Sequence, residues 1–369
     1  VDDLEAVMKK VFGANITCTL ILGVVACASF LGAQQTAPKS AQQRATAAKT
    51  VSVGSSRPLV LAFAIPLEGV KGRFDHFAFG GGRLFVAELG NNSVGVVSLG
   101  GRTLEHTISG VPDPQGVAYS PETNKLFVAS GTAAKVYIYD GNSYDLITTV
   151  DFPGGADNLR YDATTKRVYV GCGNNEKTGG LGTIDATTNM RIDEDYKLGG
   201  EPESFQLEKA GPNIYVNLPG LDQIAVINRT TKAITRWPVT GHNTPMTLDE
   251  ADHRLFVGTS QPPRLVVFDT SSGHMVASLP SVGADDLYYD ASLKRIYMPG
   301  AEGFLNVFEM KDPDHIRLLA HVPTALGAAT AGYQGVFGKG FNRLFLAVPA
   351  TRAGESAEIR MYESVPLEP

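Results

Sequence analysis

Four carboxylates, Asp75, Asp157, Glu203 and Asp285, stand at one position of a segment that recurs along the chain. Gln115, Thr244 and Tyr333 take that position in the other copies, and the next residue is His76, Gly116, Asn158, Ser204, Pro245, Asp286 or Gln334. If the copies surround one axis, the acids face one another, and such charges repel unless a cation or a proton intervenes. An oxygen-rich set of this kind suits Ca²⁺ or another hard divalent cation, with Asp157, Glu203 and Asp285 as its ligands, and His76 would admit a transition metal. A metal held there, with Asn158 beside Asp157, would polarise a substrate for hydrolysis, and Asp75 or His76 would serve as general base. The plainer reading is a polar, water-filled channel whose mouth binds a ligand without catalysis. Its candidate contacts are Asp75, His76, Gln115, Asp157, Asn158, Glu203, Ser204, Asp285, Asp286 and Gln334.

The elements that must position these residues are strands. A basic or polar residue followed by a short β-type run occurs seven times: RLFVAE from Arg83, KLFVAS from Lys125, RVYVGC from Arg167, NIYVNL from Asn213, RLFVGT from Arg254, RIYMPG from Arg295 and RLFLAV from Arg343, spaced 41 to 48 residues apart. A second run follows each anchor, a third follows most, and a fourth precedes it, as in PQGVAYS and ADNLRYD. Four strands in a unit of this length form one blade of a β-propeller. Aligning the preceding runs on Phe79, Tyr119, Tyr161, Leu207, Leu248, Tyr289 and Phe337 yields the two positions named above. Tyr119, Tyr161, Tyr288 and Tyr289 are expected to pack between blades, and the Asp, Ser and Asn residues of SPETNK, DATTKR, DEADHR and DASLKR to cap turns.

The seventh copy lacks a fourth strand after EIRMYE, whereas LVLAFAIPL, residues 59–67, stands unpaired before the first. Placing it as the outer strand of the last blade closes the ring. The expected fold is therefore all-β: a seven-bladed propeller of four-stranded antiparallel blades over residues 58–369, in which 40 glycines serve many tight turns. A single tryptophan, Trp237, excludes propellers built on a repeated Trp-Asp ending or on Trp-rich docking repeats.

Runs such as KVYIYDGNSYDLITTVDF and ADNLRYDATTKRVYVG resemble the YVTN-type repeat of YncE-like bacterial exported proteins. The resemblance covers all seven copies, although YVGC, YVNL and FVGT stand where the YVTN tetrad would be. It implies the seven-bladed fold and export. It carries over no catalytic residue, and fold alone does not assign function.

The amino terminus reads as a targeting segment. Met8-Lys9-Lys10 forms a basic head before an uncharged run that ends at Ala33, the grammar of a secretory signal. Three outcomes stay open. They are cleavage after Ala26-Cys27-Ala28, lipidation of Cys27 in a lipobox-like Val24-Val25-Ala26-Cys27, and retention as a signal anchor. All three place the folded part in the periplasm or outside the cell, and Met8 is the expected start. Residues 34–57 are too poor in large apolar side chains to form a core and are expected to be a disordered tether. Of the three cysteines only Cys172 lies in the repeats, so no disulfide forms there.

With 32 basic and 38 acidic residues the net charge is −6, which leaves no excess cation to neutralise nucleic-acid phosphates. The composition thus points to a protein, peptide or glycan partner for a monomeric ring, with membrane contact only through the targeting segment. Two functions compete. One is an exported, non-catalytic propeller binding a ligand or partner at its channel face. The other is a metal-dependent hydrolase resembling lactonase-like propellers, which typically have six blades. Binding is favoured, because no contiguous motif sets a ligand order.

Overall fold

The computed structural model describes residues 57–175, 177–335, 342–352 and 355–367. The segment expected to act in targeting, with Cys18 and Cys27, and residues 34–56 of the expected tether lie outside them. Seven separate four-stranded antiparallel sheets form the seven blades. Their inner strands are Phe77–Gly80, Pro114–Ser120, Ala156–Asp162, Phe205–Leu207, Asn243–Asp249, Tyr288–Asp290 and Ala331–Gln334.

The anchor runs become the second strands. Leu84 to Ala87, Leu126 to Ala129 and Leu255 to Val257 are wholly buried, because each blade is covered on both faces. This is why these strands read as unbroken apolar runs rather than alternating ones. The packing is interblade: Val136, Ile138 and Phe127 of blade 2 share a cluster with Val168, Val170 and Ile184 of blade 3. Each such side chain contributes about 1.5–3 kcal/mol of burial. Cys172 belongs to this cluster, 2% exposed, and burial pushes its thiol up to about 11. It is a packing residue.

Turns form where the sequence places short polar side chains. Asp162 Oδ1 accepts from the Thr164 amide at 2.9 Å, and Asp290 Oδ1 from those of Ser292 and Leu293 at 3.0 and 3.1 Å. These Asx-turns lead into left-handed residues, Lys166 and Lys294, that start the return strand.

The basic residue that opens the anchor run has a role beyond solubility in several blades. Lys125 Nζ in blade 2 donates to the carbonyls of Ala186 and Thr187, at 2.9 and 3.0 Å, in the outer turn of blade 3. Arg254 in blade 5 reaches the Pro313 carbonyl and Asp314 in the outer turn of blade 6, at 2.8 and 2.7 Å. A latch between neighbours therefore recurs with the repeat.

Ring closure follows the expected route. Leu59–Leu67 pairs antiparallel with Ala357–Ser364 as the outer strand of blade 7. Where the other blades have a covalent outer turn, blade 7 has only the Val365 amide donating to the Pro58 carbonyl at 3.0 Å. Arg295 of blade 6, 4% exposed, donates to the Val365 carbonyl at 2.6 Å and, as a second donor, to the Pro58 carbonyl at 3.2 Å. The repeated latch here fastens the two ends of the ring.

Candidate functional site

The channel-facing positions arise from a β-bulge repeated in the blades. In blade 1 Asp75 N donates to Ala87 O at 2.9 Å while Ala87 N donates to His76 O at 3.1 Å, so two residues oppose one. Glu203 and Ser204 face Asn217 in the same way, at 3.0 Å each. The register shifts between Pro114 and Val117, Ala156 and Leu159, and Asn243 and Met246 enclose Gln115-Gly116, Asp157-Asn158 and Thr244-Pro245. A regular strand sends successive side chains to opposite faces. The bulge breaks that alternation and re-aims side chains at the channel mouth.

One assignment is corrected. Tyr333 pairs with Leu344 as Phe79 pairs with Leu84, so Tyr333 is the counterpart of Phe79 and the copies were offset by four residues in blade 7. Gln334 pairs with Arg343 and lies at the far end of its inner strand, away from the mouth. Phe337, on which that copy was aligned, lies outside the described residues. The connection there is longer than in other blades, and the search for a last large apolar residue ran past the strand. The residue at the mouth is Thr330, whose carbonyl accepts from Ala347 N at 3.0 Å and whose hydroxyl donates to Phe74 O at 3.3 Å.

The remaining bulge residues divide between two cavities that meet at His76. A cavity of about 680 Å³ opens at the mouth and runs outward between blades 2 and 3; Asp75, His76, Gln115, Asp157, Glu203 and Asp285 all line it. Sequence reasoning missed three further charges on its wall, Arg73, Asp113 and Glu201. Gly131, Gly154 and Gly155 form part of the groove; a Cβ on Gly131 would come within 2.5 Å of Asp113 Oδ2, and one on Gly154 within 2.5 Å of Asn174 Oδ1. Ser204 is 5% exposed and supports the bulge rather than the wall.

At the waist, His76 Nδ1 lies 3.3 Å from Asp286 Oδ1 and Nε2 lies 3.3 Å from Asp75 Oδ1. The other Asp286 oxygen accepts from Ala331 N at 2.8 Å, which ties blade 6 to blade 7. Asn158 Nδ2 sits 2.6 Å from His76 Nε2, and Asn158 Oδ1 accepts from Arg160 Nη1. A ring protonated at both nitrogens has no lone pair for that amide nitrogen, so Asn158 Oδ1 can serve His76 or Arg160 but not both.

Burial opposes charge throughout this cluster, and the carboxylates bear most of the cost. It pushes Asp75 up to about 6 against the pull of His76, and Glu203 up to about 7 with Asp285 adding repulsion. Burial, then Glu203 and Asp75, hold Asp157 well above the usual carboxylate range, and burial likewise raises Asp285. For His76 burial works against the proton, but Asp75 and Asp286 outweigh it and lift the imidazole to about 10. The mouth thus holds a charged histidine among acids that give up their protons at higher pH than ordinary carboxyls do, Glu203 at about 7.

The residues do not fit a metal centre. Asp157, Glu203 and Asp285 line one cavity, yet among the described residues no three His, Cys, Asp or Glu side chains gather at ligating distance. Compared with known proteins, the chain matches no family model and no curated protein.

Proposed function

We propose that this protein is an exported, non-catalytic propeller that captures a small organic cation, or a basic side chain presented by a partner protein or peptide, at the channel mouth. The reading rests on one observation: six carboxylates line the mouth cavity against only Arg73 and His76 as cations. At about 680 Å³ the cavity falls within the usual range for small-molecule sites, ~300–1,000 Å³. A bound ammonium or guanidinium replaces protons that the acids otherwise hold, and Gln115 and Asn174 add neutral polar contacts in the groove. Export rests on the targeting segment, and kinship with YncE-like propellers on the repeat sequences. The metal-dependent hydrolase reading has less support, since among the described residues no three His, Cys, Asp or Glu side chains gather around one point.

Calorimetric titration with lysine ethyl ester, arginine methyl ester and spermidine at two pH values tests this reading. Saturable binding with proton release, lost in an Asp157→Asn/Asp285→Asn variant, is expected. Failure of every cation to bind would overturn it, as would equal binding of a neutral amide analogue. Saturable uptake of Ca²⁺, Mn²⁺ or Zn²⁺ by the same acids would instead restore the metal reading.

A further inference from the structure

Beyond His76, the channel opens into a second cavity of about 480 Å³ at the far end of the inner strands. Its character is the reverse of the first. The wall includes Phe77, Phe79, Tyr161, Tyr288 and Tyr333, each half-buried, and its cations are His76, Arg160 and Lys209 against one carboxylate, Asp286. Three of these rings do more than face the cavity. Phe79 packs on Phe345 at 5.4 Å, Tyr288 packs beside Tyr333 at 6.3 Å, and Tyr288 OH donates to the Ala331 carbonyl at 2.7 Å. Contacts between blades therefore hold these rings in place at the cavity wall.

Arg160 is the unusual member. It lies between Leu159 and Tyr161 on the inner strand Ala156–Asp162. Its Nη1 donates to two neutral acceptors, Asn158 Oδ1 and Leu159 O, the latter at 2.8 Å, and its guanidinium carbon lies 5.5 Å from the Phe205 ring centroid. No carboxylate among the described residues forms an ion pair with it; the nearest acid of this wall, Asp286, is committed to His76 and Ala331 N. Arg160 is half-buried, and a guanidinium partly withdrawn from water with no bonded counter-ion gains from an arriving anion. Its planar fork matches a carboxylate in particular.

We propose that this cavity is a second binding site, distinct from the acidic mouth, for a small aromatic carboxylate whose anionic group pairs with Arg160 and whose ring lies among the aromatic walls. The volume suits a ligand of one or two rings. Lys209 at the rim adds attraction without geometric selectivity. Flat rings between rigid aromatic faces are favoured over puckered ones, because offset stacking and edge contacts need a planar partner.

The test is calorimetric titration of the purified protein with sodium benzoate, benzamide, acetate and glucuronate in parallel. Benzoate should saturate the protein, with each of the other three about tenfold weaker or more, since benzamide lacks the charge, acetate the ring and glucuronate the planarity. Arg160→Gln should remove the preference for benzoate over benzamide. Thr247→Trp, which fills the cavity from its wall, should abolish binding. No saturation by benzoate up to about 10 mM, weaker than the millimolar scale, overturns the site. Benzamide binding as tightly as benzoate overturns the role of Arg160, and equal binding of glucuronate overturns the aromatic class. These comparisons use the unaltered protein, so they decide the question even where a variant fails to fold.

Discussion

His76 Nδ1 of blade 1 lies 3.3 Å from Asp286 Oδ1 of blade 6, across the channel axis from residues 210 positions away in sequence. This contact separates the acidic mouth from the aromatic end. It also concentrates the unusual protonation of the molecule at one place.

Stability is expected to fall as pH rises from about 5 to about 9.5. In the unfolded chain carboxyls titrate near ~4 and histidine near ~6.5. Folding lifts Asp75 to about 6, Glu203 to about 7 and His76 to about 10. The folded state thus binds more protons than the unfolded one across both windows, so stability declines with pH in each. The His76 contribution is complete below ~6.5 and is lost through about 10. The penalty from the acids is absent below ~4 and complete above about 7. Thermal unfolding across this range reads the effect, and a midpoint that stays flat or rises would contradict it.

Asp157→Asn should stabilise the protein at pH 8. The substitution keeps the shape while removing a carboxyl whose ionisation is opposed by burial and by repulsion from Glu203 and Asp75. A gain of about 1 kcal/mol, roughly 2 °C in Tm, is expected, shrinking toward zero at pH 5. A loss of stability at pH 8 would show that the charge is compensated in the native protein.

Gly116→Ala should destabilise by about 2 kcal/mol or more. A Cβ there would stand 2.4 Å from Asp157 O and 2.7 Å from Leu159 N, both backbone atoms of the next blade that have no flexible end to swing away. Gly100→Ala, with nothing within 4 Å of its Cβ, should change stability by no more than about 0.5 kcal/mol. Urea unfolding of the pair checks the contrast, and equal effects would refute the close approach of blades 2 and 3.

Arg295→Ala should lower Tm more than Lys125→Ala. Both remove a latch between blades, but Lys125 secures a covalent turn whereas Arg295 secures the junction of Pro58 with Val365. Loss of two charge-assisted bonds to buried carbonyls costs about 2–4 kcal/mol. Comparable shifts in the two variants would mean that strand pairing alone holds the ring closed.

The repeat, the four strands of each blade and the borrowed outer strand were legible because each depends on local pattern. An unbroken apolar run such as KLFVAS can only be a strand covered on both faces, and seven of them at a steady interval fix the blade number. The alignment that found Asp75, Asp157, Glu203 and Asp285 worked for the same reason. It failed for Gln334, where a longer connection displaced the landmark and hid Thr330. The signal that would have found Thr330 is its distance before the anchor strand, counted through paired residues rather than from the last apolar one.

Nothing in the strand ADNLRYD marks Arg160 as a site residue. Its neighbours Asp286, Tyr288 and Phe205 come from other blades. Sequence by itself determined the strands, the blade count and the closing strand, since periodicity and short-range sterics act along the chain. Only tertiary structure decided which acids share a cavity, which proton His76 keeps and that the channel has two unlike ends. Those properties sum over distance and burial around an axis that exists only once the ring has closed.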